Sequence, residues 1–258
     1  PRLARHLHAD VRRRVAPLAP PRPRHAGHRQ RRGRAALRDV RVLRRLHDPP
    51  KFLFYSGTNP NVLLEQPAVA LVGSRKMTPY GRAVTEHLAQ DLARAGVVII
   101  SGLALGVDSA AHRACLSVDG KTIAVLPSSP DMIYPASHHG LARQIVQQGG
   151  ALVSEYETAT PALKYTFIAR NRIIAALADA VIVTEAACKS GSLHTAEFAL
   201  DVGVPVMAVP GPITSQSSEG AHMLLKSGAG VVTSAQDVLD LLNIHPQAQQ
   251  SAAASSPE

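Results

Sequence analysis

A chain of 258 residues, 45% hydrophobic and 18% charged, is long and apolar enough for one large domain with a small appendage, which excludes a mostly disordered protein. Its net charge of +9 is unevenly placed: residues 1–50 carry 15 Arg, no Lys and three Asp (+12), whereas the other 208 carry 13 Lys plus Arg against 16 Asp plus Glu (−3). A nucleic-acid role for the folded part therefore has to rest on where a few cations sit, not on bulk charge.

No apolar run approaches the roughly 20 residues of a membrane span, and no apolar core follows the N-terminal arginines as a secretory signal requires. Cys115 and Cys188 give neither a disulfide framework nor metal-ligand spacing. A cytoplasmic protein is expected, with no membrane partner and no cofactor.

Residues 1–47 are low in complexity, with runs such as Arg12-Arg13-Arg14 and Arg29-Gln30-Arg31-Arg32. They fit a disordered tail, or a stretch outside the natural coding frame, better than a basic arm holding nucleic acid. From Asp48 the texture changes. Ala68–Val72 reads as a buried strand ending in Gly73-Ser74-Arg75. Pro79–Ala95 has helical period through Val84, Leu88, Leu92 and Ala95. Val97–Ile100 is a strand ending at Ser101-Gly102, Gly106–Val118 a helix and Thr122–Leu126 a strand. The alternation continues with helix Leu141–Gln148, strand Ala151–Ser154, helix Arg170–Ala178 and strand Ala180–Thr184. Helix Ser192–Val202, strand Pro205–Val209, helix Glu219–Ser227 and a short strand at Gly230–Thr233 complete it. Continuously apolar strands are covered on both faces, and the regular helices between them imply right-handed crossovers. The expectation is an α/β domain with a doubly wound, mostly parallel, Rossmann-like sheet. The alternation runs over about 65–243 within a domain at 48–243, preceded by the basic tail and followed by a disordered end at 244–258.

In such a sheet ligands bind beyond the carboxyl ends of the strands. Three ends carry glycine and hydroxyl residues: Gly73-Ser74-Arg75, Ser101-Gly102-Leu103-Ala104-Leu105-Gly106, and Ser190-Gly191-Ser192. Glycine admits close backbone approach, helix-start N–H groups bind anions, and Arg75 offers a planar fork for phosphate. Neither the dinucleotide fingerprint nor a P-loop is present. The stretch Lys164-Tyr165-Thr166-Phe167-Ile168-Ala169-Arg170-Asn171-Arg172 combines three cations with two rings, the composition of a single-strand binding surface. Phe167 as a stacking platform competes with Phe167 as a core residue, which is the commoner outcome for a lone Phe before a helix. Arg170 and Arg172, two apart, point in different directions, so one is expected to pair with an acid such as Glu155 or Glu185 while the other faces ligand.

Catalytic constellations are poor. Asp108 and His112 fit a helix-surface pair, His138-His139 a helix start, Cys115 a buried inert thiol, and Glu197 with Asp201 a solvated helix face.

These residues resemble the DNA-processing protein A family (DprA, also called Smf). The resemblance is carried by Gly73-Ser74-Arg75 with Pro79-Tyr80-Gly81, Ser101-Gly102-Leu103-Ala104 through Gly106-Val107-Asp108 and Ala111-His112, and Thr122–Leu126. It continues through Tyr134-Pro135, Ser154-Glu155, Phe167–Ile174, Ser190-Gly191-Ser192-Leu193 with Thr195-Ala196, and Ala208-Val209-Pro210-Gly211. It covers about residues 49–240 in order. It implies a non-enzymatic protein that binds single-stranded DNA, protects it during natural transformation, helps load the recombinase RecA, and self-associates as a dimer. It also implies a basic pocket of Arg75 and Lys164 with Phe167 stacking on a base, lined by Gly73, Ser74, Gly102, Arg170, Asn171, Ser190, Gly191, Ser192 and Thr195.

Pro127-Ser128-Ser129-Pro130 replaces the family's Gly-x-Gly turn, Val204 a common Arg and His222 a usual Asn. The helical N-terminal domain of many members is not recognisable in 1–47, and a C-terminal winged-helix-like domain is not expected. Two other readings stand beside this one: a phosphoribohydrolase-type enzyme, against which Lys189-Ser190-Gly191-Ser192 lacks a Pro-Gly-Gly cradle, and a small-nucleotide sensor.

Overall fold

The computed structural model describes residues 45–244, Leu43 and the backbone of strand β1 (Arg32–Ala36). Seven strands run parallel: β3 (Ala68–Gly73), β4 (Val98–Ser101), β5 (Thr122–Val125), β6 (Ala151–Ser154), β7 (Ala180–Glu185), β8 (Val206–Ala208) and β9 (Gly230–Val231). Strand β2 (Phe52–Gly57) joins antiparallel to β6, and β1 antiparallel to β2. The sheet order is β1-β2-β6-β5-β4-β3-β7-β8-β9.

Five of the parallel strands, β3 to β7, carry almost nothing but buried residues, because helices cover both faces. Val69, Leu71, Ile99 and Ile182 pack with α2 (Pro79–Arg94), α3 (Val107–Leu116) and α8 (Ala235–Leu241). Ala70, Val72, Ile100, Val181 and Val183 pack on the opposite face with α5 (Thr166–Leu177), α6 (Ser192–Asp201) and α7 (Glu219–Lys226). A third cluster joins Leu103, Leu126 and Leu152 to Leu141 and Ile145 of α4 (His139–Gln147). The expected doubly wound, mostly parallel sheet is therefore the observed one.

The N-terminal boundary is corrected. β1 lies inside the stretch expected to be tail, and Leu43 and Leu46 are buried in the core cluster of the α5–α7 face. The arginines dominate that composition and conceal the few apolar residues that pack. Strand β2 and the single-turn helix α1 (Pro60–Leu63), capped by the Asn59 side chain, also precede the expected alternation. Residues 1–31 lie outside the described residues, as do 245–258; Ile244, expected in the disordered end, packs against the core. Helix α5 begins four residues earlier than its periodicity suggests. Its start has no side-chain cap at Tyr165, so the sequence carries no N-cap signal there; instead the Thr166 hydroxyl bonds back to Leu163.

Strands β4, β5 and β6 extend the sheet to one side of β3, and β7, β8 and β9 to the other. The β3–β7 boundary is the topological switch point, where successive crossovers lie on opposite faces and leave a crevice at the strand ends.

Candidate functional site

Three loops meet at that crevice. The Ser74 N–H donates to the Glu185 carbonyl (2.7 Å), and the Val107 N–H to the Ser74 carbonyl (3.1 Å). Gly106 has φ +79, and a Cβ there would lie 2.2 Å from Ser74 O; only glycine serves. A Cβ on Gly73 would meet Val107 and Glu185 within 3 Å. The buried Glu185 carboxylate accepts from the Thr78 N–H (2.9 Å) and hydroxyl (3.1 Å), while Thr78 caps α2 at Gly81. Glu185 thus secures the start of α2, and of the two acids expected as arginine partners it is Glu155 that takes the role.

Beneath the loops lies a buried polar floor. Arg170 is 4% exposed. Its Nη1 donates to the Gly102 (2.6 Å) and Val125 carbonyls, and its Nε to Asn171 Oδ1 (3.2 Å). The Asp108 carboxylate accepts from the N–H groups of Gly102 (3.1 Å) and Ala104 (3.3 Å). A Cβ on Gly102 would lie 2.5 Å from both guanidinium Nη atoms and from Asp108 Oδ2, so the glycine leaves the space in which these charges face each other. Burial raises the Asp108 pKa, with Arg170 opposing it; burial lowers that of Arg170 to about 10.

The other expected cation, Arg172, pairs with Glu155 at 2.5 Å and is also largely buried. The expected division, one arginine structural and one facing ligand, is therefore corrected: Arg170 is a strut under the groove and not part of its wall, and Arg172 is the acid-paired residue. Asp108 and His112 are likewise buried rather than a helix-surface pair.

Thr122 Oγ1 donates to the Ile99 carbonyl (2.6 Å), so His112 Nδ1–H donates to Thr122 (2.7 Å) and Nε2 is left buried without a partner. Burial lowers the His112 pKa to about 3. The folded value lies below the unfolded 6.5, so stability is full above pH 6.5 and falls as pH drops toward 3. Against His112→Gln, the wild type should lose roughly 1 kcal/mol per pH unit across that window, measured by urea midpoints at each pH; parallel pH profiles would refute it.

His138, at the start of α4 as expected, is buried and donates through Nδ1 to the Leu103 carbonyl (2.8 Å). It holds a residue whose φ is +57, an anchoring role with no local signal in the sequence. Cys115 is buried, its thiol pushed up to about 12 by burial. Glu197 is exposed beside His194, as a solvated helix face requires. Ser128 and Ser129 of the substituted turn are buried and bond to Met132 and Thr160, so the turn latches onto the following loop. His222 bonds to the Gly211 carbonyl (3.0 Å).

The rim is different in kind. Phe167 sits on the first turn of α5, not ahead of the helix, and is half-buried outside the three core clusters. The Arg75 guanidinium lies over its ring at 5.1 Å from the centroid, and Tyr134, 52% exposed, meets it edge-on at 5.3 Å. Lys164 is exposed at the entry to the same helix. Asn171 Nδ2 donates to the Gly191 carbonyl (3.1 Å) and the Ser190 and Ser192 hydroxyls bond each other (2.8 Å); Ser192 and Thr195 are buried. The floor is thereby linked to the third loop through Arg170, Asn171 and Gly191. Tyr134 is the rim ring that the sequence does not reveal, since its place in the Tyr134-Pro135 pair carries no sign of a neighbouring aromatic. Among the described residues, no group of three or more His, Cys, Asp or Glu side chains could hold a metal, and no helix is long and apolar enough to cross a membrane.

Fold and loops together define a doubly wound domain with a crevice at its switch point, floored by the buried Arg170 and edged by Arg75, Phe167 and Tyr134, with Lys164 exposed at the entry to α5. The sequence matches the DNA recombination-mediator protein A family over residues 39–243, and the chain belongs to that family. It is 48% identical to Protein Smf of Escherichia coli over 174 residues, 67% of this chain and 46% of that protein. It is 45% identical to DNA processing protein DprA of Streptococcus pneumoniae over 197 residues, 76% of this chain and 68% of that one. The chain thus spans about half the length of the Escherichia coli relative. The solved Streptococcus pneumoniae DprA structure superposes with a TM-score of 0.75 at 42% identity, covering 82% of this chain and 74% of that one. DNA processing protein A from Helicobacter pylori, whose structure was described for its single-stranded DNA binding mode, gives 0.75 at 35% identity, covering 84% and 99%.

Proposed function

We propose that this domain binds single-stranded DNA at the switch-point cleft as a non-catalytic mediator of recombination. A base stacks on Phe167 while Arg75 and Lys164 hold the adjoining phosphates. Gly73, Ser74 and the Ser190-Gly191-Ser192 loop line the approach; Gly102, Arg170, Asn171 and Thr195 keep it in shape. The single observation that carries this reading is the exposed guanidinium of Arg75 poised over a half-buried ring, at the edge of a domain whose own charge is slightly negative. Cations for the backbone and a π face for a base are what a sequence-tolerant single-strand site needs. In this reading the protein shelters DNA taken up in natural transformation, helps load RecA and acts in the cytoplasm as a homodimer; family membership supports those roles.

The test is a fluorescence titration of a labelled thymidine oligonucleotide against the full chain at several salt concentrations. Arg75→Ala/Lys164→Ala should weaken binding and flatten the log–log salt slope by about 1.4, near 0.7 per lost phosphate contact. The Arg-rich N-terminal stretch is common to both proteins, so the difference isolates the cleft. Binding indifferent to the double substitution would refute the site. Release of free base from a nucleoside monophosphate would point to the phosphoribohydrolase-type enzyme instead.

A further inference from the structure

A cation-lined cavity adjoins the Gly73-Ser74-Arg75 loop. It has a volume of about 360 Å³ between the N-terminal ends of α2 and α3, lined among others by Arg75, Lys76, Arg82, Glu86, Ser109 and Arg113. That volume lies within the roughly 300–1,000 Å³ of small-ligand pockets. It continues into a neighbouring cavity of about 310 Å³ that shares Met77, Arg82 and Glu86. Four of the thirteen Lys and Arg of residues 51–258 line the first cavity, against one carboxylate, although the Arg75 guanidinium itself lies over Phe167. That carboxylate, Glu86, lies 3.6 Å from Arg82. Among the described residues, no carboxylate lies within ion-pair distance of Arg75, Lys76 or Arg113. Like charges left facing one cavity repel each other unless an anion enters it.

Asp108, the acid in the first turn of α3, does not supply that anion, because it is buried toward Gly102 and Ala104 on the floor. Arg75 borders both places, as a lining residue of the cavity whose guanidinium lies over Phe167.

We infer that this cavity is a phosphate subsite for the nucleotide next to the one stacked on Phe167, so that a bound strand turns around Arg75 and runs between α2 and α3. Lys76 and Arg113 are its specific contacts, and Arg75 separates the phosphate subsite from the base subsite. The inference rests on the single-strand reading above and deepens it by assigning the path of the strand past Arg75.

The test uses the full chain and a thymidine 20-mer carrying one 2-aminopurine, whose fluorescence reports stacking. Lys76→Ala/Arg113→Ala should flatten the salt slope by about 1.4 while the fluorescence change at saturation stays that of the wild type. Phe167→Ala should do the reverse, losing the stacking signal and keeping the slope. The three substituted positions, Lys76, Arg113 and Phe167, are exposed or half-buried, and circular dichroism confirms that each variant is folded. An unchanged slope in Lys76→Ala/Arg113→Ala, with binding still dependent on Arg75 and Lys164, overturns this subsite alone. Binding that ignores Arg75 and Lys164 overturns the single-strand reading and the subsite with it.

Discussion

Arg170→Ala should destabilise the domain by about 3–5 kcal/mol, the usual cost of removing one member of a buried charged group. The substitution leaves the Gly102 and Val125 carbonyls without their donor and Asp108 without its facing cation. It also frees Asn171, whose amide reaches Gly191, so the third loop should loosen as well. Arg170→Lys should recover only part of the loss, since one ammonium cannot reproduce a fork that reaches two carbonyls and Asn171 at once. Urea unfolding followed by circular dichroism measures both. A loss below about 1 kcal/mol for the alanine variant would show that the floor is not held this way. The same variant should bind oligonucleotide more weakly at equal salt slope, because a deformed cleft loses fit without losing a phosphate contact.

Phe167→Ala should reduce affinity for a thymidine oligonucleotide by about 1–3 kcal/mol, the range for one base–aromatic stack, or roughly 5- to 150-fold. Phe167→Tyr should be nearly neutral because the π face is kept. Stability should change far less than for a core phenylalanine, as the ring is half-buried and packs on Arg75 and Tyr134 rather than within a core cluster. If Phe167→Ala instead costs the 3–5 kcal/mol of fold stability seen for core aromatics and spares binding, the ring is packing and not platform. Titration and urea unfolding on the same preparation distinguish the two.

The alternation of strands and helices from Ala68 onward was legible because each parallel strand is apolar on both faces and each helix repeats at three or four residues. The turns at Gly73-Ser74-Arg75 and Gly102 were legible for a related reason: glycine beside hydroxyls at strand ends has few other uses. The inward aim of Arg170 was not legible. Arg170-Asn171-Arg172 reads the same whether its first guanidinium points to solvent or to the floor, and the choice is made by Asp108 and Gly102, more than sixty residues earlier in the chain. His138 escaped for the same reason, since its partner is the carbonyl of Leu103, a residue with nothing unusual in its side chain. The strands β1 and β2 escaped because they pair antiparallel outside the repeating pattern. The cavity at Lys76 and Arg113 has cations from two helices, which no local window contains.

The sheet order also constrains when this protein becomes functional during its synthesis. Strand β3 pairs with β4 soon after both leave the ribosome, but its other edge waits for β7, with Val69 opposite Ala180 and Gly73 opposite Glu185. Closing so long a loop is entropically costly, and such non-local pairing is slow. Until Glu185 arrives, Ser74 has no carbonyl to bond, Thr78 has no carboxylate to anchor it, and the central strand of the nascent chain exposes an unpaired, fully apolar edge. The docking of β7 therefore fixes the first loop of the cleft and covers the open edge of β3 in one event, and hands the exposed edge on to β7 until β8 pairs with it. A chain that stalls before that docking is both unable to bind and open to pairing with its neighbours.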